Sequence, residues 1–348
     1  AGAGRFVEVL QEAQMVHARP ACRKGEDGVA ETETQSTQLG MDQNHSVARR
    51  VHATCTVKNP HRNPSPEAVP ESQACFGPAA HNAWRLDGAG VSLVRTPRVP
   101  KAVQLEAQPQ RITLDIVRSV LVVVDMQNDF CHPKGWFGQK GIPVKPMRRP
   151  IAAIAALLPA WRAAGGTVLW LNWGVRADRL NLPPVVQFNG KGAGTSSADA
   201  VGYAETSPED RGRSLVPGEW GAQVVDELAV EPGDITVFKH RLSGFWDNEL
   251  DTILRLRGAT TLLFAGVNTD RCVFSTLQDA AFLGYDCVLV DDACGTPSPA
   301  YVTRAIHFIV RKLHGFTARS VDLITALAAL APALPPTPKR RRASPAPR

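Results

Sequence analysis

The 348 residues leave room for two average domains, but the distribution of aliphatic side chains supports one. The formal charge of +6 is largely a tail effect: Lys339, Arg340, Arg341, Arg342 and Arg348 supply five charges, and a body near +1 lacks the basic face that a nucleic-acid partner requires. No apolar run reaches the roughly 18 residues of a membrane span, and seven cysteines (Cys22, Cys55, Cys75, Cys131, Cys272, Cys287, Cys294) without a CxxC pair do not read as a disulfide framework; no membrane partner and a reducing, cytoplasmic setting are expected.

Residues 1–110 hold 5 Leu, 12 Val, 2 Phe and no Ile, a 17% share too low to bury a core. The stretches ETETQSTQ and KNPHRNPSPEAVPES are linker-like. This segment is expected to be a mostly disordered arm. Order is expected from RITLD, with one folded domain over 111–331 and a disordered, basic, Pro-rich tail over 332–348. The tail fits a solvated end or a targeting patch of the nuclear-import kind.

Within the domain the pattern alternates. SVLVVVD (119–125) is a continuous β-branched run, as in a parallel strand buried on both faces. PIAAIAALLPAWRAAGG (150–166) has helical apolar spacing and stops at Gly-Gly; TVLWLNW (167–173) is a second strand. A stretch at about 176–216, rich in Gly, Ser and Pro, is long enough to suggest a functional loop such as a lid. WGAQVVDEL then predicts a short helix, DITVFK (234–239) a strand, DNELDTILRLRG (247–258) a helix and TLLFAGV (261–267) a strand. CVFSTLQDAAFLG (272–284), YDCVLVDDA (285–293) and SPAYVTRAIHFIVRKLHG (298–315) predict helix, strand and helix. Strands separated by helices imply βαβ units: an α/β fold of three layers, α/β/α, around a mainly parallel sheet.

In such sheets ligands gather at the carboxyl ends of the strands. Asp125 closes the first strand and Lys239 closes DITVFK. Cys272 follows TLLFAGV by the turn NTDR and starts a helix. Taken singly, each has a plain structural role: a cap, a solvated lysine, a small buried hydrophobe. Together they supply a base, a cation and a nucleophile. A helix start and a nearby lysine are expected to depress the thiol pKa, and the amides of the helix start can receive an oxyanion. Trp136, Phe137, Asn172, Trp173, Phe245 and Trp246 follow strands and are candidate substrate contacts, an aromatic wall with one amide suited to a flat polar group. His132 and His240 flank these motifs but have no partner at ligand spacing.

Three motifs, VVVDMQNDF (122–130), GDITVFKHRLSGF (233–245) and LLFAGVNTDRCVFSTLQDAAFLGYDCVLVDDA (262–293), resemble the isochorismatase-like cysteine hydrolases, and KHRLSGFWDNELDTILRLRG is similar to their ureidoacrylate amidohydrolase branch. The resemblance spans roughly 112–322. It implies an isochorismatase-like, Rossmann-like fold and a catalytic triad of Asp125, Lys239 and Cys272. It also implies a cis peptide between Val267 and Asn268, and an oxyanion hole from the amides of Asn268 and Cys272. The family's metal-binding members carry an Asp-x-His after the second strand; LNWGVRADRLNL has no His, so no metal and no cofactor are expected. The implied reaction is hydrolysis of a small amide, ureido or carbamoyl substrate through a thioester, in a homodimer or homotetramer. Two rivals stand beside it: vinyl-ether cleavage of isochorismate, whose enzymes lack the cysteine, and a non-catalytic thiol-bearing interaction module.

Overall fold

The computed structural model describes residues 74–192, 200–206 and 211–330; most of the expected arm, up to residue 73, and the tail from 331 lie outside the described residues. Order begins before residue 111. Strands β1 (Ala74–Ala79), β2 (Asn82–Asp87) and β3 (Gly90–Ser92) form an antiparallel sheet, and β4 (Ala102–Leu105) pairs antiparallel with β5 (Ile112–Asp115). Composition averaged over 110 residues hides a local two-residue period: Val103, Leu105 and Ala107 are buried, whereas Gln104 and Glu106 face solvent. The three-stranded sheet is tied to the rest by Asn82, whose amide donates to Leu256 O (3.0 Å), and the segment after it by Arg98, which donates to Arg257 O (2.6 Å). Both carbonyls belong to the end of the Leu250–Leu256 helix, where no further helical partner exists.

The central sheet contains β6 (Ser119–Val124), β7 (Thr167–Trp173), β8 (Ile235–Lys239), β9 (Thr261–Val267), β10 (Asp286–Gly295) and β11 (Gly315–Ala318). Its order is β11-β10-β9-β6-β7-β8, and every neighbouring pair is parallel. All residues of β6 and β9 are buried, so both sheet faces are covered. The Ile151–Ala163 helix packs on the Ser320–Ala328 helix and against β7, β9 and β10, while the Phe274–Phe282 helix lies against β10. The result is the three-layer α/β/α fold. The β11 edge is partly closed by Gln108, which exchanges two backbone hydrogen bonds with Thr317 (2.8 and 2.9 Å). Among the described residues no helix is long and apolar enough to cross a membrane.

The chain builds outward from β6 through β7 to β8, then returns to the opposite side of β6 for β9, β10 and β11. The strand order therefore reverses between β6 and β9, which opens a crevice at their carboxyl ends. Gly266 permits their close approach there. Its φ is +115°, and a Cβ at this position would lie 2.1 Å from Val124 O.

Two predicted elements differ. WGAQVVDEL forms only a short turn, Trp220–Ala222, because its backbone is engaged elsewhere: Asn128 N–H donates to Gln223 O and Val225 N–H to Met126 O. The long stretch after β7 contains a helix, Pro184–Lys191.

Candidate active site

Asp125 follows directly on β6. Its amide donates to Leu171 O at 2.9 Å, and its φ of +50° lies in the left-handed region, uncommon for a residue with a side chain. Lys239 ends β8, in register with Trp173 at the end of β7. The Lys239 Nζ stands 2.9 Å from Asp125 Oδ2, with the two side chains 0 and 1% exposed. The ammonium also donates to Arg241 O (3.3 Å) and sits 4.1 Å from the centre of the Trp173 ring. Cys272 lies in a wide helical turn, Thr269–Val273, that leads into the Phe274–Phe282 helix. The turn is closed by the amides of Arg271 and Val273, which donate to Asn268 O (3.0 and 3.2 Å), and Thr276 Oγ1 donates to Cys272 O (2.6 Å). The Val267–Asn268 peptide is cis. The Cys272 thiol is close enough to Asp125 and Lys239 for both to bear on its titration. Three residues remote in sequence thus meet at the sheet reversal.

Their electrostatics oppose one expectation. Burial pushes the Cys272 thiol up to about 12, and the negative charge of Asp125 pushes the same way. Lys239 acts against both but does not prevail. The expected depression of the thiol pKa is therefore corrected: exclusion of water and a neighbouring carboxylate outweigh the cation. Burial likewise raises Asp125 above the ordinary carboxylate range, with Lys239 and the neighbouring thiol opposing. A carboxylate of raised basicity facing a protonated thiol can pass a proton between sulfur and oxygen without a bulk-water intermediary.

The thiol opens on a cavity of about 430 Å³. Of the sequence candidates, Trp136, Phe137 and Trp173 line it, together with Asn268. Trp173 Nε1 and Asn268 Oδ1 are buried without a hydrogen-bond partner, a donor and an acceptor free for a ligand. Asn172, Phe245 and Trp246 are not among its lining residues. Asn172 is buried beside Trp173, but successive strand residues point to opposite faces. Phe245 stacks on Tyr285 with ring centres 5.9 Å apart. Trp246 is 59% exposed, and its Nε1 donates to Asp279 Oδ2 at 2.8 Å.

Sequence reasoning missed Tyr203, Lys140 and Arg271, which also line the cavity. Tyr203 stacks on Trp173 (5.4 Å, 14° between planes) and lies 4.9 Å from Trp136, whose Nε1 donates to Val201 O at 2.7 Å. The available signal was a lone tyrosine, one of three in the chain, in the long Gly-rich stretch. His132 and His240 stay outside: His132 packs edge-on against Trp220, and His240 Nε2 is 3.7 Å from Asp247. Among the described residues no group of three or more His, Cys, Asp or Glu is arranged to hold a metal.

A parallel α/β/α sheet with a thiol, a carboxylate and an ammonium gathered at its reversal point defines a class of proteins built to work on a small molecule at the strand ends. The isochorismatase domain model matches residues 119–320, more than half of the chain, and the chain belongs to the isochorismatase family of hydrolases. Over 229 residues it is 35% identical to the ureidoacrylate amidohydrolase RutB of Azorhizobium caulinodans, covering 66% of this chain and 98% of that protein. Among solved structures, a cysteine hydrolase from Pseudomonas syringae pv. phaseolicola superposes with a TM-score of 0.52 at 25% identity, covering 63% of this chain and 96% of that one.

Proposed function

We propose that this chain is a cysteine-dependent amidohydrolase that cleaves the C–N bond of a small amide, ureido or carbamoyl substrate. The observation that carries the proposal is the buried Asp125–Lys239 ion pair, 2.9 Å across, beside the Cys272 thiol, which lines an aromatic cavity. The similarity to a ureidoacrylate amidohydrolase supports a ureide.

Asp125 takes the proton from Cys272 Sγ as the sulfur attacks the carbonyl carbon. Lys239 balances the charge that moves between carboxylate and sulfur. The new oxyanion is received by the amides of Asn268 and Cys272. The leaving nitrogen takes the proton held by Asp125 and departs as ammonia or an amine, leaving a thioester. Asp125 then removes a proton from water, which attacks the thioester carbon, and the departing sulfur recovers a proton. The products are an acid, or a carbamic acid that decomposes, and the amine. Neither a cofactor nor a metal enters any step. Assembly as a homodimer or homotetramer remains part of the proposal and is read by light scattering.

The test is ammonia release from ureidoacrylate, biuret, N-carbamoyl amino acids and nicotinamide by wild type, Cys272→Ala and Cys272→Ser. Turnover by wild type is expected to fall by at least about a thousandfold in both variants, as for other essential nucleophiles. Retained turnover in either variant removes the proposed mechanism.

A further inference from the structure

Gln127 and Asp129 follow Asp125 at two-residue steps in VVVDMQNDF and are buried, yet neither enters the proposed chemistry. Gln127 holds one peptide: its Oε1 accepts from Trp173 N–H and its Nε2 donates to Trp173 O, both at 2.8 Å. Asp129 joins two segments remote in sequence. Its Oδ1 accepts from Trp136 N–H (2.9 Å) and its Oδ2 from Leu215 N–H (2.7 Å).

These two donors lead to different parts of the cavity wall. Trp136 opens the helix Trp136–Gln139 and, with Phe137, lines the cavity. Leu215 is buried with a φ of +57°, and its carbonyl accepts from Val175 N–H (2.9 Å), which fixes it from the other side. Just before it, Ser214 is bonded to the segment that carries Tyr203. Ala204 N–H donates to Ser214 O (3.0 Å), Ser214 N–H to Glu205 O (3.1 Å) and Ser214 Oγ to Gly202 O (2.5 Å). The spacing of the Trp136, Trp173 and Tyr203 rings therefore depends on where Asp129 holds its two amides.

The fit around this carboxylate is close: a Cβ on Gly221 would lie 2.1 Å from Asp129 Oδ2. Burial pushes the Asp129 carboxyl up, and the amides of Leu215 and Trp136 act against it. Asparagine matches the shape but accepts through one oxygen and turns an NH2 group toward the other amide.

We propose that Asp129 is a positioning residue that, through Trp136 and Leu215, fixes the aromatic wall over Cys272 and so sets how large a molecule reaches the sulfur and how tightly it is held. Where turnover is the readout, the proposal rests on the amidohydrolase reading.

The experiment compares wild type with Asp129→Asn in the full chain. Cys272 is alkylated at about pH 9 with iodoacetamide and with 5-iodoacetamidofluorescein, one reactive group on a small and a large body, and the modified peptide is quantified by mass spectrometry. Wild type is expected to favour the small reagent by more than about tenfold, because the larger body exceeds the cavity. Asp129→Asn should cut that preference by about tenfold, the range of a charged hydrogen bond. Tyr203→Ala should cut it similarly, and the double variant no further, because both act on one wall. On the amide and ureide panel KM should rise about tenfold, with kcat within about threefold and the acid limb of the pH profile unmoved. No preference in wild type, or a preference unchanged in Asp129→Asn whatever its Tm, overturns the proposal, as does a loss confined to kcat. If wild type turns over none of the panel, the amidohydrolase reading fails and the reagent preference alone decides. If Asp129→Asn does not fold, hydrogen exchange of wild type decides: protection of the Trp136 and Leu215 amides equal to that of β6 supports the clamp, and exchange at the rate of an exposed loop overturns it.

Discussion

Asp125 and Lys239 form an ion pair that water does not reach, and its two members are unequal in what their loss leaves behind. Lys239→Met strands a carboxylate in the core, and denaturant unfolding is expected to show a loss of about 3–5 kcal/mol. The double variant Asp125→Asn/Lys239→Met removes both charges and is expected to regain most of that stability while remaining inactive. In the proposed mechanism the raised Asp125 pKa is expected to set the acid limb of activity. The base must be ionised to accept the thiol proton, so activity falls as pH drops through a value above the usual carboxylate range. A kcat/KM profile with its acid limb at about pH 4 or below, the range of an unperturbed carboxylate, would contradict this assignment. The thiol, driven up to about 12, contributes no thiolate of its own near neutrality, and alkylation of Cys272 should therefore accelerate into the alkaline range.

At the scale of elements, the approach of β6 and β9 depends on Gly266. Gly266→Ala places a methyl against Val124 O at a positive φ, and a stability loss well above about 1 kcal/mol is expected, with activity lost in parallel. The meeting of Asp125, Lys239 and Cys272 was legible in the sequence because continuous apolar strands locate their own ends: Asp125 and Lys239 close such runs, and Cys272 follows one. The cavity was legible only in part. Asn172 and Trp173 were both assigned to it, although strand alternation allows one of two neighbours on a given face. Tyr203 and Lys140 reach the cavity from connections whose path no periodicity encodes. The thiol pKa was misjudged for a related reason: dipole and cation can be read from neighbours in sequence, whereas the degree of burial arises only when distant segments close over the site.

For the whole molecule, the folded boundary lies before β4. Deleting residues 1–99 removes β1–β3 and three hydrogen bonds to the Leu250–Leu256 helix end, from His81, Asn82 and Arg98, but spares the central sheet; it is expected to lower Tm modestly and leave turnover within about twofold. Deleting 1–110 also removes the buried Val103 and Leu105, each worth about 1.5–3 kcal/mol, together with the Gln108 pairing on β11, and should compromise folding. Circular dichroism melting of the two truncations separates these outcomes. The reversal of strand order has a consequence for biogenesis. Asp125 arrives with the opening third of the isochorismatase domain, and the Cys272 sulfur only after the return crossing to β9, so a nascent or half-refolded chain holds one without the other. Recovery of turnover after dilution from denaturant should consequently lag tryptophan burial and coincide with the final closure of the sheet, making catalysis itself a reporter of completed assembly.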